Sequence, residues 1–129
     1  NFRDNVKREH TRAHIGEYVK FNQLLFDQVN RLYNVYKLAV ASNSRSEFVF
    51  KCLSILKIWQ LECVYTRDYG PAKPNPWMYQ ECMRVTGSDS SNTIIFEDSD
   101  IGIKGAKASG ARVVPIKNST DLIEKLRKL

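Results

Sequence analysis

The stretch Thr93 to Gly110, TIIFEDSDIGIKGAKASG, constrains the fold of this chain more than any other. Ile94, Ile95 and Phe96 form a short apolar run that ends in two adjacent carboxylates, Glu97 and Asp98. A turn and a helix follow, with Asp100 expected as the N-cap and Gly110 as the C-terminal stop. Open α/β sheets place their ligand sites where a buried strand delivers polar groups beside a helix start. The acids admit two readings. Either they solvate and cap a strand end, or they hold magnesium, a hard dication whose charge offsets the repulsion between neighbouring carboxylates.

Upstream, the same alternation repeats. Phe21, Leu24, Leu25, Val29 and Leu32 recur at helical spacing, and that helix should end near Asn34. Tyr36 to Ala41, YKLAVA, reads as a buried strand that stops at Ser42, Asn43 and Ser44. Ser44 and Glu47 have capping-box spacing, and the helix they would start carries Val49, Cys52, Leu53 and Leu56 on one face. Leu61 to Thr66 is a second strand, followed by the irregular segment RDYGPAKPN from Arg67 to Asn75. Proline restricts the residue before it, so Lys73 should be extended and aimed, although a surface lysine in a loop is the plainer reading. Asn75 and Pro76 then open a helix that buries Tyr79, Cys82 and Met83 and ends at Gly87. Ala111 to Ile116 is a fourth strand, and Thr120 should cap a last helix with Leu122, Ile123, Leu126 and Leu129 inward. Short strands alternating with helices imply α/β architecture with a parallel sheet flanked by helices on both faces.

Composition sets the outer bounds. With 129 residues, 43% hydrophobic and 26% charged, the chain has the make-up of one globular domain. No apolar run approaches the roughly 20 residues of a membrane span, and no signal-peptide pattern opens it, so a soluble, cytoplasmic protein is expected. Cys52, Cys63 and Cys82 lack metal-ligand spacing and read as reduced core residues. The net charge of +6 suits an anionic partner. Without aromatic and arginine interleaving, nucleic acid is a minor option beside a small phosphorylated substrate. His10 and His14 lie one helical turn apart, but no third ligand is evident, so a solvated helix is preferred to a zinc site.

Parallel strands joined by helices present their carboxyl ends on one side. Ser42 with Asn43, Lys73, and Glu97 with Asp98 would therefore meet at one rim. A hydroxyl and an ammonium for phosphoryl oxygens, with a carboxylate pair for magnesium, suit phosphoryl transfer.

LAVASNS at Leu38 to Ser44, AKPNPWMY at Ala72 to Tyr79, and IIFEDSDIGIKGAKASGARVV at Ile94 to Val114 resemble the second, third and fourth motifs of the haloacid dehalogenase-like hydrolases. The resemblance runs from about Phe21 to the C-terminus and is nearest the branch containing β-phosphoglucomutase and phosphoglycolate phosphatase. It implies a Rossmannoid core in residues 21–129, with residues 1–20 as the tail of a helical cap and its return linker. It also implies that Ser42 hydrogen-bonds the transferring phosphoryl group, that Asn43 shapes the pocket, that Lys73 neutralises nucleophile and phosphoryl oxygens, and that Glu97 and Asp98 hold Mg2+. Two positions depart from the family pattern: Ala72 stands where glycine is common, and Gly105 where alanine is usual.

The family's nucleophile, the first aspartate of an Asp-x-Asp-Gly-Thr motif, is absent from the sequence. Asp98-Ser99-Asp100-Ile101-Gly102 imitates it, but the glycine is displaced and no threonine follows. In relatives the nucleophile strand lies between the strands matching Tyr36 to Ala41 and Thr93 to Glu97. Without it those two strands should each lack a neighbour. The start at Asn1 fits a missing N-terminal segment carrying the nucleophile and most of a cap. The rival to such an enzyme is a degenerate, noncatalytic binding or assembly module. A phosphoacceptor receiver domain would place its acids early and its lysine late, the reverse of the order here.

Overall fold

Asn22 starts the first helix among the described residues, α1 (Gln23–Tyr33), by accepting the Leu25 N–H at 3.1 Å through its side chain. The computed structural model describes residues 19–129, so the proposed cap tail up to residue 18 and the His10/His14 pair lie outside the described residues. After α1 the chain alternates strictly: β1 (Ala39–Ala41), α2 (Ser46–Leu56), β2 (Cys63–Tyr65), α3 (Trp77–Thr86), β3 (Ile94–Glu97), α4 (Asp100–Ala108), β4 (Arg112–Pro115) and α5 (Ser119–Arg127). A 3-10 turn, Ser90–Asn92, leads into β3.

Both strand pairings are parallel. β1 pairs with β2 in the register Ala39↔Cys63 to Ala41↔Tyr65, and β3 with β4 from Ile94↔Arg112 to Glu97↔Pro115. Among the described residues β1 and β3 are not bonded to each other, so the sheet consists of two halves. Between them runs a cavity of about 390 Å³ lined by Val40, Ile95, Phe96, Leu32 and Met83, among others. The unpaired edges expected from the sequence are therefore the facing edges of β1 and β3.

The halves share a core. Tyr79 and Met83 of α3 pack with Ala106 and Ala111, and against Ala41 from one half and Ile95 and Val113 from the other. On the far side α1 and α5 pack together, and the Arg31 guanidinium donates to the carbonyls of Leu126 and Leu129 at 2.8 and 3.0 Å.

Several helix starts differ from the sequence reading, because capping depends on which side chain reaches the free amides. Ser99, not Asp100, caps α4 by accepting the Gly102 N–H at 3.1 Å. Asn118, not Thr120, caps α5 by accepting the Asp121 N–H at 2.8 Å. At α2 the Ser44 hydroxyl caps nothing; the Ser46 N–H is taken at 2.7 Å by Asp68, from the loop after β2. Leu129, expected inward, is 37% exposed because α5 ends at Arg127. The C-terminal stops at Gly87 and Gly110 stand as expected, with φ of 69° and 86°, a region glycine enters without a Cβ penalty.

Candidate active site

The carboxyl ends of β1 and β3 meet over one short stretch of the cleft. β1 ends at Ala41, and the ladder continues through Ser42, whose N–H donates to the Tyr65 carbonyl at 2.9 Å. Ser42 is buried, and its Oγ accepts the Ser44 N–H at 3.1 Å. The next side chain, Asn43, grips the Lys73 backbone from both sides. Its Oδ1 accepts the Lys73 N–H at 2.7 Å, and its Nδ2 donates to the Lys73 carbonyl at 3.3 Å. The amide thus docks the loop before α3 onto the end of β1, a role that spacing alone did not suggest.

Lys73 is not a surface lysine. It lies in a turn closed by the Asn75 N–H, which donates to the Ala72 carbonyl at 3.0 Å, and Asn43 holds both of its backbone groups. The residue is 4% exposed. Its Nζ donates to the Ala41 carbonyl at 2.8 Å and forms a buried ion pair with Glu97 Oε2. That pair joins the two half-sheets at their carboxyl ends.

Glu97 has a second donor. The Tyr79 hydroxyl donates to the same Oε2 at 2.5 Å and lies 3.1 Å from the Gly102 carbonyl, while Lys73 Nζ sits 5.2 Å from the Tyr79 ring centroid. The helix α4 is bare where these groups press on it. A Cβ at Gly102 would lie 2.1 Å from Glu97 Oε1, and one at Gly105 would lie 3.0 Å from the Pro74 carbonyl oxygen and 3.2 Å from Tyr79 Cε2. Glycine at 105, where the family usually has alanine, is thus matched to the tyrosine and the lysine loop beside it. Asp98 follows Glu97 directly and is half-buried.

Ala41, Asn43, Lys73, Glu97 and Tyr79 therefore form one bonded cluster, with Ser42 inside it by position and Asp98 adjoining it. Beside it the Ser44 Oγ is fully buried without a hydrogen-bond partner. Asp68 organises the neighbouring turn, binding Arg45 at 2.8 Å as well as the Ser46 amide. The Ser46 amide bond above all, then Arg45, holds its carboxyl down at about 2. Burial pushes the Cys82 thiol up to about 12 and raises that of Cys63, which disfavours the reactive thiolate at both positions. Sequence reasoning missed Tyr79 and Asp68. Tyr79 was assigned to the apolar face of α3, and the one available signal was a hydroxyl at a position where phenylalanine would have sufficed.

Residues 1–116 match the haloacid dehalogenase-like hydrolase family. The chain belongs to the haloacid dehalogenase-like hydrolases. It is 32% identical over 94 residues to glycerol-1-phosphate phosphohydrolase 1 of Saccharomyces cerevisiae, covering 67% of this chain and 38% of that protein. In fold it is similar to a hydrolase from Streptococcus pneumoniae (TM-score 0.68, 20% identity, covering 83% of this chain and 57% of the other). It is likewise similar to the β-phosphoglucomutase of Clostridium difficile (TM-score 0.63, 19% identity, covering 76% of this chain and 44% of the other). The chain therefore spans 38% of the curated relative and about half of each solved structure. As a haloacid dehalogenase-like chain it has the mixed α/β architecture of these structures, and among the described residues no helix is long and apolar enough to cross a membrane.

Proposed function

We propose that this chain forms the rim of a magnesium-dependent phosphatase or phosphomutase, acting through an aspartyl phosphate whose aspartate lies outside these residues. The observation that carries this reading is the buried Lys73–Glu97 pair, which brings an ammonium and an acid to the end of a cleft between two strands with unpaired edges. A cation held at a strand rim is what phosphoryl transfer needs, since its catalysis is mostly positioning and charge neutralisation.

In this reading the aspartate's carboxylate oxygen attacks phosphorus, the bond to the substrate oxygen breaks, and the departing oxygen takes a proton. Water or a second hydroxyl then releases the phosphoryl group. Ser42 would donate its hydroxyl to a phosphoryl oxygen. Asn43 keeps the Lys73 loop docked, and Lys73 would offset the negative charge of nucleophile and phosphoryl group together. Among the described residues no group of three or more Asp, Glu, His or Cys could hold a metal alone. Magnesium, however, is commonly bound by one or two carboxylates together with waters and phosphate oxygens, and a pair of acids at a strand end fits that habit. Glu97 and Asp98 would hold it, and when bound it would neutralise the phosphoryl oxygens. The three free cysteines support a reducing compartment such as the cytoplasm.

The test is hydrolysis of a generic aryl phosphate by the full-length protein, with and without Mg2+. Hydrolysis should require the ion. The variant Lys73→Ala, verified as folded by circular dichroism, should lose about 100-fold or more in kcat, as loss of a charge-stabilising donor does. Equal rates would remove Lys73 from the mechanism, and no hydrolysis at all by the full-length protein would favour the noncatalytic module.

A further inference from the structure

We propose that Tyr79 is a positioning residue: its phenol fixes the Glu97 carboxylate and, through it, holds the Lys73 ammonium where an anion reaches the rim. This deepens the preceding reading, since the anion in question is the phosphoryl group proposed there.

The geometry is specific. Tyr79 is 4% exposed, a place where a hydroxyl is costly unless it finds an acceptor. It has two in reach, Glu97 Oε2 at 2.5 Å and the Gly102 carbonyl at 3.1 Å. A phenol carries one proton, and the nearer, anionic acceptor takes it in the stronger, charge-assisted bond. Glu97 Oε2 is thereby shared between a neutral donor and a cationic one. When Lys73 turns a proton toward an arriving phosphoryl oxygen, Glu97 keeps its phenol bond and stays in place. Without the phenol, Lys73 would be the stronger partner of that oxygen and would be drawn back from the rim.

The surroundings are built for this arrangement. Lys73 and Tyr79 come from one loop-and-helix unit, whose start is set by the Asn75 side chain accepting the Trp77 N–H at 2.9 Å. The ring lies 5.2 Å from the ammonium, within range of a cation–π contact. Gly102 and Gly105 leave the α4 surface open to Glu97 and to the Tyr79 ring respectively.

The experiment is NMR of the Lys73 side-chain ammonium in the full-length protein, comparing wild type, Tyr79→Phe, Glu97→Gln and the double variant, each with and without inorganic phosphate. Without phosphate, Tyr79→Phe should move the Lys73 signal and change its solvent exchange while the melting temperature stays near wild type. Phosphate affinity should fall about tenfold, the scale of one hydrogen bond to a charged group. In the Glu97→Gln background, Tyr79→Phe should add little, because the phenol acts through the carboxylate. Should Glu97→Gln fail to fold, a fluorinated tyrosine at position 79, a stronger donor of nearly the same shape, should move the Lys73 signal opposite to Tyr79→Phe. An unchanged Lys73 signal in Tyr79→Phe, or an equal added effect in the Glu97→Gln background, would overturn the proposal. A Lys73 signal that responds to Tyr79→Phe but not to phosphate would uphold the positioning role and count against the phosphoryl-transfer reading.

Discussion

The cleft between β1 and β3 has two unlike regions. At its carboxyl end it is closed by charge: Lys73 bridges Ala41 on one side and Glu97 on the other, and Tyr79 completes the cluster. Along its body it is apolar, a cavity of about 390 Å³ with two strand edges facing it. The difference shows which interactions assemble the rim. Helix α3, spanning both halves, and one buried ion pair hold the polar groups together without a hydrogen-bonded ladder between β1 and β3. That division of labour can be broken at either region.

The largest effect should come from the ion pair. Lys73→Ala strands Glu97 in a site where the two side chains are 1% and 6% exposed, and removing one partner of a buried pair costs about 3–5 kcal/mol. Urea unfolding measures it. Replacing both partners by apolar residues of similar volume should recover most of the loss, and equal destabilisation by the single and double variants would mean that the pair is not what closes the rim.

Gly102→Ala should come next. Its Cβ would fall 2.1 Å from Glu97 Oε1, so carboxylate or helix must shift, at about 1–3 kcal/mol for overpacking. Gly105→Ala, with neighbours at 3.0 and 3.2 Å, should cost less. The reverse order in thermal unfolding would show that α4 is pressed by the Lys73 loop rather than by Glu97.

Hydrogen exchange sharpens the view of the body. Amides of β1 and β3 directed into the cleft should exchange at least about tenfold faster than ladder amides of β1–β2 and β3–β4, since exchange follows the opening of local structure. Uniform protection in this chain would contradict two separate half-sheets.

The smallest effect is a pH dependence at the exposed Asp68. Its folded carboxyl titrates at about 2, below the ordinary 3.8, so its stabilising contribution is present above that ordinary value and is lost as the pH falls toward 2. Asp68→Asn should therefore lower the urea midpoint at pH 5 more than at pH 2.5. An equal difference at the two pH values would detach Asp68 from the start of α2.

How much of this was legible beforehand follows from the range of each interaction. Strand and helix order could be read because hydrophobic spacing is local. The strands came out shorter than read: Tyr36 to Ala41 narrows to Ala39–Ala41, since pairing with Cys63–Tyr65 sets its length. The choice of caps was misread at α2, α4 and α5. At α2 the amide is satisfied by Asp68, 22 residues downstream, and no nearby spacing announces such a partner.

The sequence by itself determined the alternating α/β plan, the family, and the residue types gathered at the rim, because these depend on periodicity and on short motifs. Only the tertiary structure decided that Glu97 faces Lys73 and Tyr79, that Asn43 clamps the lysine loop, and that α4 must be bare at Gly102. Those outcomes depend on close packing between segments far apart in the chain, where tenths of an ångström decide which donor meets which acceptor.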